Sequence, residues 1–186
     1  MDDLVTARLV LHPMSVSEAE RVVAGEPAEG ERWAPGYPTA GDVAGSRRFV
    51  RACASTGHPH PFGAYEIRRR EDGYAIGGVG FHGAPDETGT VTIGYGLVAS
   101  AQGKGYATES LRELLRLARE LGIARVIGDT HHDNIASQRV MTAAGMRLLE
   151  EDDELKHYGV SWPEPEPEPE PEPGPGPGAD SSSSPS

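Results

Sequence analysis

Apolar residues recur along the chain with two periods, and each change of period marks a new element. Residues 6–13 alternate, with Leu9 and Leu11 on one side and Val10 on the other, which predicts a strand. Ser17-Glu18-Ala19-Glu20 has the form of a capping box and predicts a short helix ending near Gly25. A loop rich in Gly and Pro carries Trp33 and Tyr37, and Val43, Phe49, Val50 and Cys53 then predict a helix over 42–54. Stretches 62–68, 74–81 and 90–98 read as three strands, with turns at Glu71-Asp72-Gly73 and around Pro85-Asp86. The strongest helical stripe lies in 107–121, where Ala107, Leu111, Leu114, Leu115, Ala118 and Leu121 share one face and Gly122 stops the run. A strand over 125–130, a helix over 134–144 and strands over 146–150 and 155–160 complete the order. The pattern predicts an α/β (α+β) fold, a mixed sheet of about seven strands flanked by about four helices.

Composition divides this picture in two. The chain has 186 residues and a net charge of −12. Residues 163–186 hold nine of the 16 prolines and no Lys or Arg, with five Glu and one Asp. Residues 1–162 keep 17 basic and 23 acidic side chains, a charge of −6. One domain over 1–162 and an unstructured tail over 163–186, extended where Pro and Glu alternate, are expected. No apolar run reaches membrane-spanning length, the start of the chain has no basic-then-apolar leader, and Cys53 is the only cysteine. The expected setting is therefore the cytoplasm, with no membrane partner. The acidic body argues against a nucleic-acid partner, since a phosphate-backbone footprint needs clustered Lys and Arg. His131-His132-Asp133 is too crowded on one loop to converge on an ion, so no metal is expected.

The junction between the strand at 90–98 and the strongest helix reads Gln102-Gly103-Lys104-Gly105-Tyr106-Ala107-Thr108. Its glycines let backbone amides come close to a ligand, and the helix start adds free N–H groups and the positive end of a dipole. A phosphate fits such a place, as does a plain strand-to-helix turn. The P-loop pattern fails, because Gly105 follows Lys104 and Val98 stands where its first glycine belongs. Gly94, Gly96 and Ala99 match the dinucleotide fingerprint only formally, since those glycines lie inside a strand.

Gln102, Gly105 and Ala107 match the (Arg/Gln)-x-x-Gly-x-(Gly/Ala) signature, and the chain here resembles the GCN5-related N-acetyltransferase (GNAT) superfamily. Ile93-Gly94-Tyr95, Gly105-Tyr106-Ala107-Thr108-Glu109, Asp133-Asn134-Ile135-Ala136-Ser137 and Gly145-Met146 resemble its RimJ/RimL-like branch, and the likeness covers about residues 4–160. It implies a GNAT fold and an acetyl-CoA-dependent transfer to a primary amine, by direct attack in a ternary complex. Leu97 and Val98 would pair with the pantetheine arm. Gln102, Gly103, Lys104, Gly105, Tyr106, Ala107 and Thr108 would hold the pyrophosphate. Asn134 would bond the pantetheine arm, and Ser137 would reach the sulfur.

The chain also departs from that family. Met141 stands where many members carry a proton-donating tyrosine, and Thr92 where related chains often carry an acid. His82 and Tyr95 are then the candidates to take the amine's proton, with Glu66 a weaker one. The acceptor reads equally as a protein N-terminus or a small-molecule amine, and a homodimer stays open. The competing reading, drawn from Met141 and Thr92, is a non-catalytic acyl-CoA-binding or regulatory module.

Overall fold

The computed structural model describes residues 2–163, and the tail expected beyond them lies outside the described residues. The elements run β1 (Leu4–Val5), β2 (Leu9–Pro13), α1 (Val16–Ala24), α2 (Ala40–Thr56), β3 (Ala64–Arg69), β4 (Ala75–Phe81) and β5 (Thr90–Leu97). A 3-10 turn at Ala99–Ala101 follows, then α3 (Tyr106–Glu120), β6 (Arg125–His131), α4 (Ile135–Ala144), β7 (Arg147–Glu151) and β8 (Leu155–Ser161). One sheet takes the order β1-β2-β3-β4-β5-β6-β8-β7, antiparallel except where β5 meets β6.

The predicted order holds, with three local corrections. The strand expected over 6–13 covers only Leu9–Pro13, and an additional short strand at Leu4–Val5, before that range, raises the count from about seven to eight. The Thr6 N–H donates to Leu9 O at 2.9 Å and the Leu9 N–H to Thr6 Oγ1 at 3.1 Å, so the chain turns there instead of extending. The first helix is capped by Ser15, not Ser17: Ser15 is extended, its Oγ accepts from the Glu18 N–H, and Glu18 accepts from the Ser15 N–H at 2.8 Å. Thr39 and Asp42 repeat the same box at the start of α2, two residues before the expected boundary.

Strand register assigns the two faces of the sheet. Leu11↔Ile67, Tyr65↔Val79 and Phe81↔Ile93 put Leu9, Leu11, Tyr65, Ile67, Val79, Ile93 and Leu97 on one face. Helices α3 and α4 cover it, burying Leu111, Leu114, Ala118 and Met141. The other face carries Glu66, Gly78, Gly80, Gly94 and Gly96 and lies under α1 and α2. Phe49 of α2 seats its ring against Gly63, where an added Cβ would come within 2.9 Å of the ring.

Met141 is 2 % exposed, and its methyl packs beside Gly128 and Ile93. It belongs to the core that fixes α4 on the sheet. Met141→Ala should therefore cost about 2–5 kcal/mol of stability, read as a lower midpoint in urea with an unchanged slope.

Candidate active site

The sheet opens between its two parallel strands. β5 and β6 pair only through Thr90↔Arg125, Val91↔Val126 and Thr92↔Ile127, yet they run on to Leu97 and His131. The Val98 N–H donates to Ile76 O at 2.8 Å, so Gly77 and Leu97 form a non-hydrogen-bonded antiparallel pair. The backbone N–H and C=O of Leu97 therefore point away from β4, into the opening. Alternation gives Tyr95 the same direction. The Leu97 carbonyl is taken by Gln102 Nε2 at 3.1 Å, which ties the following loop to the strand end.

That loop leaves several backbone donors unpaired among the described residues. Gly103 and Gly105 have φ of 74° and 83°, the left-handed region glycine adopts without strain. The N–H groups of Gly103, Lys104 and Gly105 donate to no backbone acceptor among the described residues, and the first turn of α3 leaves further N–H groups unpaired. Arg8 clamps the loop from the far strand: Nη1 donates to Lys104 O at 2.8 Å, and the guanidinium lies 4.5 Å over the Tyr106 ring. Glu109 completes the clamp, accepting from Thr6 Oγ1 at 2.6 Å, from the Arg8 N–H at 2.8 Å and from Arg8 Nε at 2.7 Å. Tyr106, Ala107 and Thr108 are half-buried in the first turn, while Gln102, Gly103, Lys104 and Gly105 are exposed.

Across the opening, Asn134 caps α4, its Oδ1 accepting from the Ser137 N–H at 3.1 Å. The Tyr95 hydroxyl spans from β5 to α4 and lies 2.8 Å from Ser137 Oγ. Burial pushes the Tyr95 phenol up, and its hydroxyl also donates to Ser137 O at 3.1 Å. Val98 is 1 % exposed and packs into the core.

On the opposite face, α2 and the sheet enclose a cleft of about 280 Å³. Its floor is bare backbone, for Gly78 faces Gly96 and Gly80 faces Gly94. His82 stands at one rim, its Nε2 2.8 Å from where a Cβ on Gly94 would lie. Burial and the nearby Arg48 guanidinium pull the imidazole below its ordinary value, so it is neutral near pH 7. The structure thus separates His82 and Tyr95, one on each face. Glu66 has both oxygens engaged, Oε1 by Arg68 Nε at 2.6 Å and Oε2 by the Tyr37 hydroxyl at 2.9 Å.

Sequence reading missed Asp42, whose carboxyl also lines this cleft. Only its capping-box spacing after Thr39 was visible in the chain, and that signals a helix start, not a site. Among the described residues, no group of three or more His, Cys, Asp or Glu could hold a metal ion, and no helix is long and apolar enough to cross a membrane.

A family model described as an acetyltransferase (GNAT) domain matches residues 8–147. The chain belongs to the GNAT acetyltransferases. Over 99 residues this GNAT chain is 33% identical to "Uncharacterized N-acetyltransferase YjdG" of Bacillus subtilis (strain 168), covering 52% of this chain and 58% of that one. It is 49% identical over 49 residues to the FsC-acetyl coenzyme A-N(2)-transacetylase of Aspergillus fumigatus, covering 26% of this chain and 21% of that one. The GNAT chain thus spans from a fifth to under two thirds of the curated relatives it matches. The ribosomal-protein-S5-alanine acetyltransferase of Vibrio fischeri has the same fold, at TM-score 0.64 and 13% identity over 87% of this chain and 97% of that one. So does the microcin C7 self-immunity acetyltransferase MccE, solved with acetyl-CoA and AMP, at TM-score 0.58 and 18% identity over 84% of this chain and 94% of that one.

The clamp has a pH signature. Burial alone would raise the Glu109 pKa, but its bonds from Thr6 and Arg8 outweigh that and hold it below the ordinary value. A lowered carboxylate contributes stability that is full above the unfolded pKa and fades as pH falls through the folded one. Thermal melts from pH 6 down to pH 3 should show a steeper loss in the wild type than in Glu109→Gln.

Proposed function

We propose that the GNAT domain over residues 1–162 transfers the acetyl group of acetyl-CoA to a primary amine, with the two substrates entering from opposite faces of the sheet. The observation that carries this is the opening between β5 and β6, which is bordered by Tyr95 and Leu97 on one side and by α4 on the other. The pantetheine arm lies along the Leu97–Val98 edge and meets Asn134. The N–H groups at Gly103, Lys104 and Gly105 and in the first turn of α3, from Tyr106 to Thr108, receive the pyrophosphate, with Gln102 fixing the loop.

The chemistry follows from what each face offers. The Leu97 N–H faces the opening and can hydrogen-bond the oxyanion that forms on the thioester carbonyl. The amine nitrogen attacks the carbonyl carbon, and the C–S bond breaks with its electron pair on sulfur. The Tyr95 hydroxyl, paired with Ser137, protonates that sulfur and takes the place of the tyrosine that Met141 displaces. His82, neutral at the rim of the cleft, carries the amine's proton to solvent. Two proteins that share this fold, an S5-alanine acetyltransferase and RimL, an L7/L12 α-N-protein acetyltransferase, support a RimJ/RimL-like assignment with a protein N-terminus among the acceptors.

Two measurements test this. Isothermal titration should show acetyl-CoA binding, and its absence at millimolar ligand overturns the proposal. Thiol release with N-terminal peptides and small amines should then show turnover, and tight binding without turnover would favour the non-catalytic module. Tyr95→Phe should leave acetyl-CoA affinity unchanged while lowering kcat by ~10-fold or more.

A further inference from the structure

Asp42 is 9 % exposed and sits on α2 over the sheet. Its Oδ2 accepts from the Thr39 N–H at 2.8 Å and from Thr39 Oγ1 at 2.7 Å, which completes its capping role. Its Oδ1 takes no hydrogen bond from the described residues and lies 2.9 Å from where a Cβ on Gly78 would stand. Gly78 is the cross-strand partner of Gly96, and above Gly96 a Cβ would meet nothing within 4 Å. The free oxygen therefore overlooks the open part of the cleft floor. One helical turn on, Ser46 is 4 % exposed and also lines the cleft.

A buried carboxylate is costly unless a cation or several donors meet it. Glu66, its acidic neighbour, has Arg68. No Lys or Arg forms an ion pair with Asp42 among the described residues. Elsewhere the cleft is lined by the apolar Phe49, Phe62, Ala44 and Ala52. Arg48, the cleft's one Arg or Lys, forms no ion pair among the described residues.

Resting on the acetyl-transfer reading, we propose that Asp42 is the seat for the acceptor's ammonium, and that the acceptor is a singly charged primary amine on an apolar body. The carboxylate supplies the charge the amine lacks, and the aromatic and alanine walls take the body. Arg48 disfavours a second positive charge, which sets such an acceptor apart from a polyamine.

The pH dependence has a defined sign. Burial is the first cause that raises the Asp42 pKa, with the Glu66 charge adding and the Thr39 bonds opposing. Around Asp42 and the cleft stand Tyr37 on the preceding loop, Glu66 and Arg68 on β3, Arg48 on α2 and His82 after β4. Only the ionised carboxylate seats an ammonium. Affinity for an amine should therefore fall as pH drops through a value above the ordinary 3.8 of an aspartate, while affinity for an uncharged isostere stays flat.

The test is calorimetric titration of the full chain with phenethylamine, phenethyl alcohol and spermidine. Phenethylamine should bind at least ~10-fold more tightly than either of the others, and Asp42→Asn should weaken it about 30-fold or more without changing the alcohol. The amide keeps an oxygen for the Thr39 cap, so the variant should retain the wild-type melting curve. The pH series on the wild type reads the same contact without a substitution. Equal binding of amine and alcohol, tighter binding of spermidine, no binding of any probe, or an amine affinity unmoved by pH or by Asp42→Asn would each overturn the proposal. Acetyl-CoA titrated into the same samples reports separately on the acetyl-transfer reading, whatever the amines do.

Discussion

The site depends on where a ladder of backbone hydrogen bonds stops. Past Thr92 and Ile127 the two parallel strands continue without each other, while β4 and β8 still hold their outer edges. Separate outer partners let both strands stay ordered after they part. The cost is a short stretch of β5 whose inward N–H and C=O groups lack a neighbouring strand. Gln102 satisfies one of them by folding back on Leu97 O, and Tyr95 bridges the gap with its side chain.

Helices close the opening from two directions with different side chains. On the α3 and α4 side the sheet presents Leu, Ile, Val and Tyr, and the helices bury a continuous core against them. On the α2 side it presents four glycines in two facing pairs, and the helix stands off to leave a cleft. The same strands thus make a packed layer on one face and a chamber on the other, by alternation alone. Arg8 and Glu109 add a long-range tie, fixing the loop before α3 to the far edge of the sheet.

Much of this was legible in the chain. The stripe from Ala107 to Ala118 and the glycines around Lys104 placed α3 and its loop correctly, because period and turn chemistry are local. The turn at Thr6 to Leu9 was not legible, since it depends on one threonine satisfying the backbone in place of a strand partner. The capping box of α1 was two residues away from its expected place, since Ser15 and Ser17 compete for the same role and only the backbone angle decides. The pairing of Tyr95 with Ser137 joins residues 42 apart in sequence, and Asp42 meets Gly78 only after α2 is laid across the sheet. Those contacts are made by packing, and no spacing encodes them.

The floor of the cleft leaves one position free. An added Cβ would collide with the Gly63–Ala64 backbone at Gly80, with the Asp42 carboxylate at Gly78 and with His82 at Gly94. At Gly96 it would touch nothing, and the backbone there is not in the left-handed region. The depth of the chamber is therefore adjustable at a single residue: alanine or serine at 96 would raise the floor by one atom and shorten the longest occupant, with every wall left in place.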